Sequence, residues 1–250
     1  MERGRLAIEN PKSKIEIDLS VGAAGLGVEL SEAQVAQLAR YAELLEQWNR
    51  VMNLTRVPPE EVVPLHFLDS LSVAQAVNLA RPARLVDVGS GAGFPGLVLK
   101  IAFPVLDVTL LDSTRKRLAF LDAVIADLSL SEVRTLHARA EGAGRDPAHR
   151  ERYDIAVARA VSRLNSLAEL LLPLTRVGGC AIAMKSASAD EEIREASVAI
   201  RTLGGARPRV VALTLPATDI ERRLVVIEKV RPSAPAYPRD ASRIKAKPLG

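Results

Sequence analysis

A chain of 250 residues with 48% hydrophobic and 26% charged residues has enough apolar side chains to bury a full core, which excludes intrinsic disorder. Four Phe, three Tyr and one Trp are too few for an RNA-holding sheet built on base stacking, and the single cysteine, Cys180, excludes a disulfide framework or a thiolate metal site. The formal net charge of +4 lies wholly in residues 231–250, where five bases stand against one acid; a basic, proline-punctuated tail suits either a polyanion-touching arm or a solvated terminus.

Residues 1–30 contain glycine and show no period, so they read as irregular. Ser31 opens a helix as its N-cap, with Val35, Leu38, Ala42, Leu45 and Trp48 recurring at three- and four-residue steps. Asn53 follows that helix, Pro58-Pro59 breaks the chain, and a second helical stretch at 65–77 completes a small N-terminal layer. From Pro82 the rhythm alternates, with strands at 85–88, 105–111, 133–137, 155–158 and 180–185 and helices at 96–102, 114–128 and 164–172. Such alternation predicts a parallel sheet with helices on both faces. The last two strand-like runs, 210–215 and 224–228, stand too close for a parallel crossover, so they are expected to be antiparallel neighbours. No stretch of 18 apolar residues occurs, and the first twenty residues hold no apolar run of signal-peptide length. His66, His137 and His149 lack metal-ligand spacing. The expectation is a cytoplasmic, metal-free chain with no membrane partner.

The segment from Asp87 to Gly96 carries glycines at 89, 91, 93 and 96. It fits both the dinucleotide pattern G-x-G-x-x-G and the pattern acid-x-G-x-G-x-G of S-adenosylmethionine sites. The glycines alone do not choose. If the strand ends near Val88, Asp87 stands at its carboxyl edge, where open α/β sheets bind ligands and a carboxylate can sit near a cationic methionine moiety. A strand running on would bury that carboxylate without a partner. The antiparallel final strand favours the second pattern too. Asp112 ends the second strand, where it can accept hydrogen bonds from both ribose hydroxyls; a helix-capping role before Ser113 is the alternative.

Asn53-Leu-Thr55, His66-Phe-Leu-Asp69-Ser70-Leu71, Val86 through Gly96, Asp112 to Lys116, Arg139-Ala-Glu141, Ala158-Arg-Ala160, Met184-Lys185 and Ala236-Tyr-Pro-Arg239 stand in an order that resembles the ribosomal RNA small-subunit methyltransferase G family. That family is also called glucose-inhibited division protein B. The likeness covers about 30–249, and its Gly-Phe-Pro-Gly ending is more specific than the glycines. It implies a Rossmann-like, seven-stranded methyltransferase sheet and an S-adenosylmethionine-dependent enzyme acting on N7 of one guanine in 16S RNA of the small ribosomal subunit. By the same resemblance Gly89, Phe94, Asp112, Thr114, Ala140, Glu141 and Arg159 line the cofactor site, with Asp87, Gly91, Gly93 and Ser113 beside them. Ser186 departs from the family's glycine.

Methyl transfer from a sulfonium to guanine N7 is an in-line displacement onto a free lone pair, so no base is needed and alignment supplies much of the acceleration, up to ~7–11 kcal/mol in intramolecular analogues. The residues fit: Ala158-Arg159-Ala160-Val161 stands where an exocyclic-amine methyltransferase carries Asn/Asp-Pro-Pro-aromatic, and Cys180 lies in an apolar strand. Arg159, Asn53, His66 and Asp69 are therefore positioning candidates. Arg159 can donate to the base or to the methionine carboxylate. Asn53 can instead be a helix cap, and His66 with Asp69, three apart, a surface pair. Candidate RNA contacts are Arg115, Lys116, Lys185, Tyr237, Arg239, Arg243, Lys245 and Lys247. Of these, Arg239 is expected on RNA and Tyr237 leans towards packing against the domain. The chain divides into an N-terminal extension and helical layer (1–80), a cofactor-binding core (81–230) and a basic tail packed on or near it (231–250), read as a monomer. Two rivals stand: an NAD(P)-dependent oxidoreductase using the same loop, and a non-catalytic ribosome-associated module.

Overall fold

The computed structural model describes residues 14–159 and 162–250; the first thirteen residues and Ala160-Val161 of the segment after the fourth strand lie outside the described residues. Helix α1 (Lys14–Gly25) replaces the irregular stretch expected from the sequence. Gly22 in its middle lies directly against the Leu68 side chain, so the glycine that obscures the helical period is what lets α1 approach its neighbour. Helix α2 (Glu32–Met52) begins with a capping box, Ser31 accepting from the Gln34 amide and the Gln34 side chain accepting from the Ser31 amide. It ends at Asn53 in the left-handed region (φ 51°). The next helical stretch changes winding as it goes: a wide π turn at Val63–Leu68, α3 (Asp69–Leu71), then a 3-10 turn at Ser72–Gln75.

Strands β1 (Ala83–Val88), β2 (Leu106–Asp112), β3 (Val133–His137), β4 (Tyr153–Arg159) and β5 (Thr175–Ser186) are parallel, and β6 (Arg209–Thr214) and β7 (Glu221–Glu228) complete the sheet in the order β3-β2-β1-β4-β5-β7-β6. β7 runs antiparallel to both neighbours. Between them lie α4 (Gly96–Ala102), α5 (Arg115–Asp127), α6 (Ala140–Ala143), α7 (Leu164–Leu171), α8 (Asp190–Glu195) and α9 (Ser197–Thr202), and α10 (Ala241–Ala246) closes the chain. Ser186 has extended backbone and continues β5 in register with Arg222, so its position does not require a glycine.

The two-residue period of the strands feeds two cores. Leu85, Leu110 and Val157 face the N-terminal layer with Leu38, Phe67, Leu97 and Phe120; Val86, Ala156, Ala158 and Val225 face α7 and α9 with Leu167, Leu171 and Ile200. Each fully buried leucine contributes about 1.5–3 kcal/mol relative to exposure. The N-terminal layer is thus continuous with the core of the sheet. Among the described residues no helix is long and apolar enough to cross a membrane.

Candidate functional site

The carboxyl ends of β1, β2, β3 and β4 surround a cavity of about 340 Å³, within the range of small-molecule sites. Val88 and Gly89 enter it from the first turn, Leu111, Asp112 and Ser113 from the second, Ala140 and Glu141 from the start of α6, and Arg159 from β4. Asp112 is 2% exposed. Its Oδ2 accepts the Gly91 amide at 3.0 Å and its Oδ1 the Thr114 amide at 2.8 Å, and Arg117 approaches Oδ2 to 3.5 Å. Each oxygen keeps acceptor capacity for a diol, and the backbone bonds fix the direction in which it is offered. A nucleoside ribose fits this group. Gly91 and Thr114 therefore act by orienting Asp112 and are not among the cavity's lining residues.

Asp87 lies elsewhere. It is 0% exposed and one residue short of the end of β1, its Oδ2 accepting the Gly96 amide at 2.8 Å while Oδ1 has no partner. Burial pushes its pKa up to about 7, against the lowering effects of the Gly96 amide and Arg159. Asp87 is not among the residues that line the cavity; through the Gly96 amide it braces the loop instead. Gly93 and Phe94 belong to that loop. Gly93 adopts φ +96°, and a Cβ there would strike the Tyr41 hydroxyl and approach Leu121 to 2.9 Å. Tyr41, fully buried on α2, donates its hydroxyl to Ala92 O in the loop and stacks on Phe94 with centroids 5.5 Å apart. Sequence reasoning missed Tyr41, whose place among the apolar residues of α2 gives no sign of the bond it makes.

Arg159 is held by the N-terminal layer. It donates through Nη1 to Leu65 O (2.9 Å) and Asp69 Oδ2 (3.1 Å), and through Nη2 to His66 Nδ1 (3.0 Å). The imidazole is held at both nitrogens: Nδ1 also lies 3.1 Å from Leu65 O, and Nε2 shares a hydrogen bond with Thr55 Oγ1 at 2.7 Å. Burial, reinforced by Arg159, lowers the His66 pKa to about 3. His66 stacks on Phe94 at 4.3 Å, and the Arg159 guanidinium covers the same ring at 5.0 Å. His66 and Asp69 do not form the pair their spacing suggested; both grip Arg159 instead. Arg222 of β7 takes the second oxygen of Asp69 at 2.9 Å, a contact no local pattern announces. With two guanidiniums on one carboxylate and a neutral imidazole, the cluster carries one net positive charge at the cavity wall. Asn53 is the exposed C-cap of α2.

The candidate RNA contacts separate into exposed cations and cations paired with a carboxylate. Arg115 and Lys116 are exposed on the first turn of α5, and Arg243, Lys245 and Lys247 on or beside α10. Lys185 is instead paired with Glu192 at 2.8 Å and bonded to Ser162 O. Arg239 is committed to Glu169, so its expected grip on RNA is overturned: Nε (2.9 Å), Nη2 (2.7 Å) and its backbone amide (2.8 Å) all go to that carboxylate. Tyr237 is half-buried against the α7-side core, as packing requires.

A doubly wound sheet with one reversed strand, and a cavity lined by the carboxylate at the end of its second strand, match the class of S-adenosylmethionine-dependent methyltransferases. Solved structures share the fold: a predicted O-methyltransferase from Agrobacterium tumefaciens (TM-score 0.51, 19% identity, 67% of this chain and 81% of that one) and an S-adenosylmethionine-dependent O-methyltransferase from Thermotoga maritima (TM-score 0.51, 13% identity, 76% and 73%). The family model for rRNA small subunit methyltransferase G matches residues 34–224. Proteins named ribosomal RNA small subunit methyltransferase G are 44% identical in Acetivibrio thermocellus, over 97% of this chain and all of that one, and 48% identical in Roseiflexus castenholzii, over 85% and 91%. The chain belongs to the rRNA small subunit methyltransferase G family.

Proposed function

We propose that the chain transfers a methyl group from S-adenosylmethionine to N7 of a guanine in the 16S RNA of the small ribosomal subunit, in the cytoplasm and as a single chain. The observation that carries this reading is Asp112, fixed by two amides at the lip of a cavity on a sheet of this family. Gly89, Asp112, Ser113, Ala140 and Glu141 would hold the cofactor, which supplies an electrophilic methyl on a sulfonium. Guanine N7 presents its lone pair without losing a proton, so the chain's task is alignment. His66 suits that task and not base catalysis, since its Nδ1 is taken by Arg159 and burial keeps it neutral. Asp69 and His66 fix Arg159, whose remaining donors are available to an acceptor oxygen on the guanine or to the methionine carboxylate. Asn53, exposed at the end of α2, stands as a further polar contact. Arg115, Lys116, Arg243, Lys245 and Lys247 offer cations to phosphate.

The test is to incubate the protein with small ribosomal subunits and methyl-labelled S-adenosylmethionine, then map the modified nucleotide by mass spectrometry. One 7-methylguanosine in 16S RNA is expected. No incorporation favours the binding module. Thermal stabilisation by NAD, with none by S-adenosylhomocysteine, favours the oxidoreductase.

A further inference from the structure

The tail is built into the fold at three heights along α7. At the bottom, Lys229 is 1% exposed and its Nζ donates to Leu172 O and to Ser233 Oγ (2.7 Å), with Glu151 at 3.2 Å. Arg150 then holds the carbonyls of Ser233 and Tyr237 at 2.7 Å. Midway, Glu169 is a carboxylate with no solvent exposure, and its hydrogen bonds come from Arg239, through three separate donors. At the top, the chain end at Gly250 lies beside Asn165 in the first turn of α7 and against Glu195 at the end of α8. From Leu172 to Asn165 the climb is about 10 Å. It runs towards the carboxyl edge of the sheet, because α7 starts there after β4. Along this path α10 buries only Ile244 and exposes Arg243 and Lys245, with Lys247 exposed just past its end. The residue beside Glu169, Leu170, lines the cofactor cavity.

A buried carboxylate satisfied by one distant arginine is costly unless that arginine stays. It therefore acts as an anchor: the helix cannot keep the buried Glu169 carboxylate hydrogen-bonded without keeping the tail. We infer that Glu169 and Arg239 form a latch that holds α10 as a fixed arm, so that Arg243, Lys245 and Lys247 meet the phosphate backbone of the RNA whose base enters the cavity. Glu169 and Arg239 are positioning residues, and this role rests on the RNA-methyltransferase reading above.

The experiment compares Arg239→Gln, the gentler Glu169→Gln, the arm variant Arg243→Gln/Lys245→Gln/Lys247→Gln, and each latch change placed on the arm variant. Initial rates give KM for small subunits and kcat, calorimetry gives Kd for S-adenosylhomocysteine, and RNA binding is followed against salt. The arm variant is expected to lower the slope of log K against log salt by roughly 2–3. Either latch change is expected to raise KM for subunits about tenfold and to lower that slope in the same direction, with cofactor Kd within about twofold. The latch changes are expected to add almost nothing on the arm variant, because there is no arm left to place. Equal latch effects in both backgrounds, or a cofactor Kd that moves as much as KM, overturn the latch. An arm variant with unchanged KM and slope overturns it as well, while leaving the enzyme reading intact. A wild-type protein that neither methylates subunits nor binds RNA overturns that reading, and the latch with it.

Discussion

Asp87 and Asp112 are the same residue type on adjacent strands and the same face of the sheet, yet they serve different ends. Asp87 pairs in register with Leu110, so Asp112 stands two residues further along β2, about 6.6 Å higher at 3.3 Å per residue. That height carries Asp112 past the last rung of β1, where amides of two different turns reach it and leave its outer side for a ligand. Asp87, a rung inside, is roofed by the loop it supports and keeps one oxygen without any partner. The acid of a glycine-loop pattern and the acid at the next strand end are thus a brace and a binding group, separated by depth alone.

The largest effect expected to bear on this contrast is in cofactor binding. Asp112→Ala removes two charge-assisted hydrogen bonds to a diol, each about 1.5–3 kcal/mol, so affinity for S-adenosylhomocysteine should fall about 10²- to 10⁴-fold. Asp87→Asn keeps an oxygen for the Gly96 amide and should change that affinity less than about tenfold. Calorimetric titration of both variants decides; an Asp112→Ala protein that binds as tightly as wild type ends the ribose assignment.

Next in size is a pH effect on stability, on the order of 4 kcal/mol for each of two groups across its window. With a pKa of about 7 in the fold against 3.8 when unfolded, Asp87 keeps a proton between pH 4 and 7 that the unfolded chain has released, so its contribution falls as pH rises. His66, at about 3 against 6.5, lacks a proton that the unfolded chain binds, so its contribution rises over pH 3–6.5. Between pH 4 and 6.5 the two slopes cancel, and the folded and unfolded chains carry the same number of protons on this pair. Asp87→Asn should therefore gain stability relative to wild type as pH climbs from 4 to 7, and His66→Asn should lose it from pH 4 to 6.5. Urea unfolding at a series of pH values reads both. If Asp87→Asn runs parallel to wild type, the buried-acid assignment is wrong.

The sheet was legible because its signals are local. Alternating strand and helix runs gave five parallel strands, and the short link before β7 gave the reversal. Asp112 was legible because a strand end is visible in sequence. What escaped depends on partners far along the chain. Arg222 meets Asp69 across 153 positions, and Arg239 meets Glu169 across 70. Glu169 in sequence is a lone acid in a leucine-rich helix, and no period reveals that it is fully buried. Helix α1 was hidden by Gly22, which fits it against Leu68, and α6, four residues long, is too short to show a period. The end of β1 at Val88 was read correctly, but that the Asp87 carboxylate takes the Gly96 amide is a contact across the loop that sequence does not resolve.

Tyr41 supplies the smallest effect and the finest test of the brace. Its hydroxyl donates to Ala92 O from 51 positions upstream, while Asp87 holds Gly96 at the far end of the same loop. The loop is therefore pinned at both ends, once by β1 and once by the N-terminal layer. Tyr41→Phe keeps the ring stacked on Phe94 and leaves the Ala92 carbonyl buried without a donor, a cost of about 1–3 kcal/mol in stability. Since the pinned loop carries the Gly91 amide that orients Asp112, cofactor affinity should fall as well, by no more than about tenfold. Both changes should be smaller than those of Asp112→Ala in binding, and the Tyr41→Phe loss should persist in an Asp87→Asn background, because the two pins act on different ends. A double variant no weaker than Asp87→Asn alone would mean that one pin suffices, and that the N-terminal layer only covers the loop.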